Sequence, residues 1–322
     1  MDNYPVKIGS LSREKVQILI EDAIDWAHGN GMVMRKGSCE KTSDFCQFAP
    51  FTLFPTPFPR KLFEKALEMQ QAMNLLYFRI SWDYEFLVES HREVIKTDAF
   101  TRNLIDILKI VRDADFKQSK MLLIQRSDYM FDGSITKGDY KLRQIEVNNI
   151  AVSMGALAER TTILHRRVLQ DLGVKTNALE LFLPLNRPID TIAGGLYQAW
   201  LDFGIESAIV LTVIENEDQN RLDQRHVEYR LDELSKRRIK CVRLTLTECG
   251  HRLYLSDNNA LLMDNQMRIS LVYFRTGYSP ENYASEFEWN ARRKIELSDA
   301  IKCPCIGLQV ANTKKVQQVQ MA

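Results

Sequence analysis

Apolar residues in the first third of the chain recur with the period of an α-helix. After Ser12 they follow i, i+3 and i+4 spacing, and Ser12 and Gly29 are suited to begin and end such a helix. A proline-rich stretch, APFTLFPTPFP, then predicts an extended segment laid over the core. Two or three more helices are predicted in KLFEKALEMQQAMNLL, WDYEFLVESHREVI and AFTRNLIDILKIVRDA. Residues 1–115 are therefore predicted to be mainly helical.

Two later segments have the pattern of β-strands. MLLIQRSDYMFD (121–132) predicts a short buried strand that ends in polar residues. LRQIEVNNI (142–150) predicts its hairpin partner, across a turn that includes Gly133 and Gly138. A helix over about 156–172 is predicted to close this unit.

Side chains of the second strand alternate between two faces. Ile145 and Val147 are predicted to face the core, and the opposite face then carries Gln144, Glu146 and Asn148. The next residues are small, which leaves room for a ligand to approach the backbone closely. They are Ala151, Ser153, Gly155 and Ala156.

Glu146 and Asn148 admit two interpretations. A carboxylate and an amide oxygen on one face suit a hard cation such as Mg²⁺, which takes few protein ligands and shares the rest with water and phosphate. The same pattern also fits a solvent-exposed strand face. Arg126, at the end of an apolar run, is on composition alone more typical of a salt bridge than of a substrate clamp.

Strands and helices alternate from about residue 190 onwards. Strands are predicted in ESAIVLTVIENE, KCVRLTLTE and RISLVYFRTGY, with a helix in DQRHVEYRLDELSKRRI, and this order predicts a small parallel sheet with crossover helices. Ligands of such sheets bind beyond the carboxyl ends of the strands. Asp218, Asn220, Arg275 and Tyr278 occupy such places in the sequence. The predicted fold class is α/β, with an α+β unit followed by a parallel-sheet α/β domain.

Composition restricts the class of partner. With 322 residues, 45% of them hydrophobic, the chain can bury a sizeable core. Lys and Arg number 43 against 42 for Asp and Glu, so the chain has almost no net charge with which to attract nucleic acid or an anionic membrane. A small ligand is therefore favoured as the binding partner. The N-terminus lacks a signal-peptide pattern, and no run reaches the roughly 18 apolar residues of a spanning helix. We predict a soluble cytoplasmic protein.

Cysteine and histidine chemistry is not favoured. Cys303 and Cys305 are the one close pair, and without a second Cys or His pair at zinc-site spacing a structural role is favoured over a metal site. The five histidines form no HExxH and no i, i+4 pair. Neither GxxxxGKS/T nor GxGxxG occurs, so the sequence has no P-loop or dinucleotide fingerprint.

Several motifs together resemble one family. They are APFTLFP (49–55), RSDYMF (126–131), LRQIEVNNI (142–150), LDQR (222–225), VYFRTGY (272–278) and NTKKVQQ (312–318). In order and spacing, over nearly the whole chain, they resemble eukaryotic-type glutathione synthetase. The resemblance implies an ATP-grasp ligase of glutathione biosynthesis, in which ATP phosphorylates the cysteinyl carboxylate of γ-glutamylcysteine and glycine displaces the phosphate. It also implies Mg²⁺, ATP as co-substrate, and a homodimer.

The resemblance implies roles for individual residues. Glu146 and Asn148 match the magnesium ligands, and Glu146 and Lys314 match nucleotide contacts. Arg126 matches a catalytic arginine beside the substrate carboxylate and acyl phosphate, a role suited to a fixed guanidinium. The residues that match peptide-binding positions are Arg126, Ile150, Ala151, Val152, Ser153, Asp218, Gln219, Asn220, Gln224, Arg275 and Tyr278.

Two substitutions depart from the family pattern. Ala151 stands where the family typically has Ser, which removes a hydroxyl, and Asp218 stands where Glu is usual, which shortens the side chain by one methylene. Either change is expected to alter peptide recognition by ~1 to 3 kcal/mol if a buried partner is left unpaired.

The C-terminal residues are expected to begin the family's ATP-grasp module. The predicted domains are residues 1–190 with the metal and substrate motifs, 191–311 as the substrate-binding domain, and 312–322 as the start of a truncated module. An incomplete ATP-grasp architecture of this kind is expected to be inactive alone. The alternative is a non-catalytic binding or subunit-pairing protein on the same scaffold.

Overall fold

A computed structural model describes residues 5–35, 45–114, 119–134, 138–264 and 266–320 of the chain. In these ranges the helices are α1 (Arg13–Gly29), α2 (Arg60–Trp82), α3 (Tyr84–His91), α4 (Val94–Thr97), α5 (Ala99–Asp113), α6 (Gly155–Asp171), α7 (Thr176–Phe182), α8 (Pro188–Phe203), α9 (Arg221–Leu234), α10 (Leu246–Arg252), α11 (Glu286–Leu297), α12 (Ile306–Ala311) and α13 (Lys314–Gln320). The strands are β1 (Val33–Arg35), β2 (Cys46–Phe48), β3 (Arg126–Ser134), β4 (Asp139–Asn148), β5 (Ile209–Ile214), β6 (Cys241–Thr245), β7 (Leu253–Leu255), β8 (Leu261–Met263), β9 (Met267–Phe274) and β10 (Ile301–Cys303). The predicted mixed α/β class is confirmed. No helix within these ranges is both long and apolar enough to cross a membrane.

The chain forms two compact units that are interleaved in sequence. The first contains Met1–Phe58, Ser153–Ala193 and Glu217–Arg230, and the second contains the remaining three segments. These are Pro59–Val152, Gly194–Asn216 and Leu231–Ala322. The domain boundaries predicted at residues 190 and 311 stay a prediction.

The first unit is built around α1 and α6. Ser12 caps α1, since its hydroxyl accepts a hydrogen bond from the amide of Lys15 at 3.2 Å, as predicted. Gly29 is the last residue of α1, and Asn30 caps it. The two helices share a buried cluster, against which partly buried residues of the proline-rich segment pack. The cluster includes Leu19, Ala23, Ala27, Ala49, Leu157, Leu164 and Val168, and the segment contributes Phe51, Leu53 and Phe54.

The second unit contains the predicted parallel sheet. Strands β6, β5, β9 and β10 are parallel neighbours, and β7 and β8 extend the sheet in antiparallel fashion beside β9. All six residues of β5, IVLTVI, are buried, as expected of a strand covered on both faces. The sequence analysis missed β7, β8 and β10, each of which has only three residues.

The β3–β4 hairpin forms a separate two-stranded sheet in the second unit. The antiparallel pairing was predicted, but the predicted buried strand over 121–132 is wrong, because β3 begins only at Arg126 and is half-exposed. The predicted burial of Ile145 is also wrong, since its side chain is 56% exposed whereas Val147 is 2% exposed. With only two strands in this sheet, Val147 is the residue of β4 that joins the main core cluster.

Cys303 and Cys305 lie within the second unit as buried free thiols. Burial raises the pKa of Cys303 to about 12 and that of Cys305 to about 11. Because the thiolate is the reactive form, these two cysteines are unreactive at neutral pH. This supports the structural role inferred for the pair.

Candidate functional site

The open end of the β3–β4 hairpin, where β3 begins and β4 ends, carries a cluster of charged and polar side chains in the second unit. Arg126 pairs with Asn148 across the two strands, and Asp128 pairs with Glu146. Because alternate residues of a strand share a face, all four side chains lie on one face of the hairpin. Three of the predicted site residues, Arg126, Glu146 and Asn148, are therefore brought together.

Asp128 holds the guanidinium of Arg126 in a two-point contact. Nε of Arg126 donates to Oδ1 of Asp128 at 2.8 Å, and Nη2 donates to Oδ2 at 3.0 Å. The hydrogen bond to Asp128 raises the pKa of Arg126. The same Nη2 lies 3.7 Å from Oε1 of Glu146. The sequence analysis missed Asp128, although its spacing of two from Arg126 in a strand places both side chains on the same face.

Glu146 is an ionised carboxylate at the centre of the cluster. Nδ2 of Asn148 donates to its Oε1 at 3.0 Å, and Nζ of Lys314 donates to its Oε2. The hydrogen bond from Lys314, followed by that from Asn148, lowers the pKa of Glu146 to about 2. The fourth predicted residue of this group, Lys314, thus joins the cluster through Glu146.

The oxygen atoms of the cluster fit a hard divalent cation. Glu146 and Asp128 are cross-strand neighbours and Asn148 adds an amide oxygen, which is the donor set that Mg²⁺ prefers. In the part of the chain that the structure describes, no group of three or more His, Cys, Asp or Glu side chains is arranged to hold a metal ion. A metal held here would therefore take its other ligands from water or phosphate oxygens.

The segment Asn312–Gln318 places Lys314 beside the hairpin. The carboxamide of Gln317 contacts both backbone groups of Val147, at 3.0 Å from the carbonyl oxygen and 3.4 Å from the nitrogen. Asn312 donates to the same carbonyl oxygen and accepts from the amide of Asn149. These contacts give hydrogen-bond partners to the backbone groups of Val147 and Asn149, where β4 enters the core. Helix α13 then begins at Lys314.

Arg275 directly follows β9 and contacts the loop after β4 within the second unit. Its guanidinium donates to the carbonyl oxygen of Val152 and, at 3.2 Å, to the hydroxyl of Tyr273. Arg275 is only 4% exposed. The structure thus brings Arg275 together with the predicted peptide loop Ile150–Val152, in which Ala151 has a left-handed φ of 49°.

A second group of predicted peptide contacts lies in the first unit. Asp218 accepts from the backbone amide of Asn220 at 2.7 Å and from the side chain of Gln224, and the carbonyl oxygen of Gln219 accepts from the amide of Arg35 at 3.0 Å. Oδ1 of Asn220 is buried and has no hydrogen-bond partner among the described residues. A buried acceptor without a partner is suited to receive a hydrogen bond from a ligand.

Ser153 belongs to the first unit and precedes α6. Its neighbour Met154 caps this helix in a left-handed conformation, with φ of 73°. The carboxylate of Asp223 accepts from the amides of Met154, Ala156 and Leu157 at 3.0, 2.9 and 3.2 Å. Asp223, which the sequence analysis did not select, therefore supplies the missing cap of α6 and fixes the backbone beside Ser153.

Comparison with known families gives a match over residues 13–321 to "Eukaryotic glutathione synthase, ATP binding domain". The chain belongs to the eukaryotic glutathione synthase family. The resemblance predicted from six separate motifs is confirmed.

Individual relatives of this glutathione synthase family member extend the comparison. The chain is 39% identical to glutathione synthetase of Rattus norvegicus and 38% identical to that of Homo sapiens, in each case over 312 residues that cover 96% of this chain and 64% of the relative. It is 33% identical to the chloroplastic glutathione synthetase of Arabidopsis thaliana, of which it covers 57%. The chain therefore spans less than two thirds of the length of these relatives.

A solved structure shares the fold of this glutathione synthase family member. It is a glutathione synthetase-like effector from Globodera pallida in its apo form. The match has a TM-score of 0.80 and 32% sequence identity, and it covers 99% of this chain and 69% of that protein. The family and the fold support an ATP-binding domain in this chain, whereas the roles of individual residues remain predictions.

Proposed function

We propose that the protein acts in glutathione synthesis, by binding Mg-ATP and γ-glutamylcysteine for ligation of the peptide to glycine through an acyl phosphate. The observation that carries this proposal is the cluster of Arg126, Glu146, Asn148 and Lys314 in a chain of the glutathione synthase family. These four residues come from three separate sequence motifs of the family. The geometry supports a site for phosphate groups and a metal on one face of the hairpin.

Formal charge explains why this face requires a metal in order to bind a triphosphate. Arg126 and Lys314 carry positive charges and Asp128 and Glu146 carry negative ones, so the four groups are together neutral. A neutral face does not attract a polyanion. Mg²⁺ held by Glu146 and Asn148 would neutralise charge on the phosphate oxygens.

Arg126 is suited to stabilise negative charge at the reacting carboxylate. Its guanidinium is fixed by Asp128 before any ligand arrives, so little reorganisation is needed during the reaction. The edge of the guanidinium that faces Glu146 points towards the proposed metal and phosphate position. We infer that Arg126 contacts the cysteinyl carboxylate and the phosphate transferred to it.

The peptide-binding residues divide by chemistry. Arg275 and the backbone of Ile150–Val152 supply donors and acceptors in the second unit, and Tyr278 lies three residues beyond Arg275. In the first unit, Asp218 and Asn220 supply acceptor oxygens, with Gln219 between them in sequence and Gln224 in contact with Asp218. Ser153 lies in the same unit, before α6.

Calorimetry with matched variants tests the proposal. Mg-ATP and γ-glutamylcysteine are each titrated into the protein and into E146Q, which keeps the shape of the side chain but removes its charge. We expect E146Q to lose at least about tenfold in affinity for Mg-ATP, equivalent to about 1.4 kcal/mol, and to keep its affinity for the peptide. The absence of binding of both ligands to the unmutated protein would refute the proposal.

A second candidate function is a binding or subunit-pairing role without ligation. It is favoured by one observation, that a protein of the same fold at 32% identity is described as an effector. The two candidates are separated by joining this chain to the part of a relative that it does not cover, adding Mg-ATP, γ-glutamylcysteine and glycine, and measuring glutathione and phosphate. Binding of the peptide without product favours the second candidate, and sedimentation of the same sample tests the predicted homodimer.

A further inference from the structure

Three successive backbone amides that follow Arg275 and Thr276 all donate to one side chain, that of Asn282. Oδ1 of Asn282 accepts hydrogen bonds from three successive amides, those of Gly277, Tyr278 and Ser279, at 3.0, 3.1 and 3.2 Å. Successive amides that converge on one point form a concave binding site for an oxygen atom. Here the oxygen is supplied from within the chain.

Glu215 orients the carboxamide of Asn282. Nδ2 of Asn282 donates to Oε1 of Glu215 at 3.1 Å, and the hydroxyl of Thr276 lies 3.2 Å from the same oxygen. A carboxylate only accepts hydrogen bonds, so the NH₂ group of Asn282 must face Glu215 and its oxygen must face the three amides. Glu215 thereby sets which end of the amide is presented to the loop.

Gly277 is fixed from its other side as well. Its φ of 89° lies in the left-handed region, and its carbonyl oxygen accepts from Nε2 of Gln309 at 2.7 Å and from the hydroxyl of Tyr283 at 3.3 Å. Tyr283 is itself stacked on Trp289, with ring centroids 3.7 Å apart. The peptide group between the two predicted ligand-contacting residues is therefore held at both its donor and its acceptor atoms.

Capping of the short 3-10 helix at Pro280–Asn282 does not account for this arrangement. The capping contact is the one between Asn282 and Ser279. The contacts to the amides of Gly277 and Tyr278 lie outside the helix, and so do both contacts of Glu215. They constrain the loop that carries Arg275 and Tyr278.

We propose that Asn282, oriented by Glu215, is a positioning residue that sets the Arg275–Tyr278 loop and thereby the affinity for γ-glutamylcysteine. The part concerning affinity rests on the peptide site of the proposed function. Neither Asn282 nor Glu215 needs to touch the ligand, because each acts through the backbone of the loop.

Three variants test the orientation of the amide. N282D keeps the acceptor oxygen but turns a second oxygen towards the carboxylate of Glu215, so repulsion displaces the side chain. E215Q keeps an acceptor for Asn282 and Thr276, and N282D/E215Q restores a donor opposite the new carboxylate. We expect the dissociation constant for γ-glutamylcysteine to rise by at least about tenfold in N282D, to return to within about threefold of the original in N282D/E215Q, and to change by less than about twofold in E215Q.

Two further measurements separate positioning from loss of fold. Mg-ATP affinity is expected to be unchanged in all three variants, and hydrogen exchange at the amides of 277–279 is expected to accelerate in N282D and slow again in the double variant. If N282D does not fold, E215A carries the same test, because it removes the group that orients Asn282 while leaving the asparagine in place. E215A is then expected to behave as N282D does, with E215Q as its matched control.

Several outcomes would overturn the inference. Peptide affinity in N282D equal to that of the unmutated protein, or a folded double variant that regains neither affinity nor amide protection, would each show that Asn282 does not position the loop through Glu215. Lack of peptide binding by the unmutated protein would refute the proposed function and with it the affinity part. Peptide binding by the unmutated protein is measured before any variant is made. Hydrogen exchange at the amides of 277–279 then tests, without any peptide, whether Asn282 and Glu215 hold the loop.

Discussion

Gln317 contacts Val147 through both ends of its carboxamide, donating to the carbonyl oxygen at 3.0 Å and accepting from the nitrogen at 3.4 Å. Val147 is the residue of β4 that lies in the core, and it is flanked by the predicted site residues Glu146 and Asn148. The contact therefore fixes α13 to the strand at the point where the charged cluster begins.

Replacement of Gln317 is expected to destabilise the protein. Q317A leaves the backbone groups of the buried residue Val147 with fewer partners, so we expect a loss of about 1 kcal/mol in the free energy of unfolding, measured with urea. Q318A is the matched control, because Gln318 is exposed and contacts Lys315 on the same helix. Its effect is expected to stay within about 0.5 kcal/mol. Equal losses in the two variants would contradict a specific role for Gln317.

Asp128 is expected to contribute more to stability than a second aspartate of the same hairpin. D128N removes the charged two-point contact to Arg126, whereas D132N removes an exposed pair with Arg143. We expect D128N to lower the free energy of unfolding by about 1.5 kcal/mol and D132N to lower it by less than about 0.5 kcal/mol, measured by chemical denaturation. We also expect D128N, and not D132N, to weaken γ-glutamylcysteine binding, because Arg126 then loses the two-point contact that orients its guanidinium. Similar changes in unfolding free energy and in peptide affinity for the two variants would show that Asp128 has no specific role in the site.

Lys314 is expected to make the free energy of unfolding depend on pH in the acid range. The folded-state pKa of Glu146 is lowered to about 2 from 4.5, chiefly by the hydrogen bond from Lys314. The stabilisation is therefore fully present above pH 4.5 and is lost as the pH falls towards 2. In K314M the pKa of Glu146 should rise towards 4.5, which carboxyl NMR measures directly. The stability difference between K314M and the unmutated protein should shrink over the same range, and an unmoved pKa would contradict the assignment.

Ala151 is expected to be strained. Its φ of 49° is left-handed, which costs a residue other than glycine ~1 to 2 kcal/mol, whereas the extra entropy lost by glycine on folding is ~0.5 to 1 kcal/mol. A151G is therefore expected to raise the free energy of unfolding by up to about 1 kcal/mol. A158G, on the exposed side of α6, is the control of opposite sign and is expected to lower it by about 1 kcal/mol. Clear destabilisation by A151G would show that the alanine methyl group makes contacts that outweigh the strain.

The sequence predicted elements wherever local chemistry and period agreed. Ser12 and the apolar spacing after it predicted α1, and the apolar run IVLTVI predicted a buried parallel strand. Ile145 was misassigned because alternation indicates two faces but not whether anything covers them, and here the sheet has only two strands. The strands of three residues carried too short a pattern to be recognised.

The cluster of candidate site residues was predictable only where a motif supplied them. Arg126, Glu146 and Asn148 lie within two short motifs whose pairing follows from a hairpin. The contact between Asn312 and Val147 joins residues 165 positions apart, and no local pattern in either segment indicates it. The burial of Arg275 under the carbonyl of Val152 likewise depends on a contact across 123 positions.

Lys314 is 71% exposed, yet it occupies one oxygen of the carboxylate that is proposed to hold the metal. The ammonium group is therefore an exchangeable counter-ion, because a lysine that is largely in water can be replaced at the carboxylate by another cation. A metal that takes this oxygen releases Lys314, and a phosphate that attracts Lys314 releases the oxygen. Since linkage is reciprocal, we expect metal and nucleotide to increase each other's affinity through this one side chain, even where they do not touch.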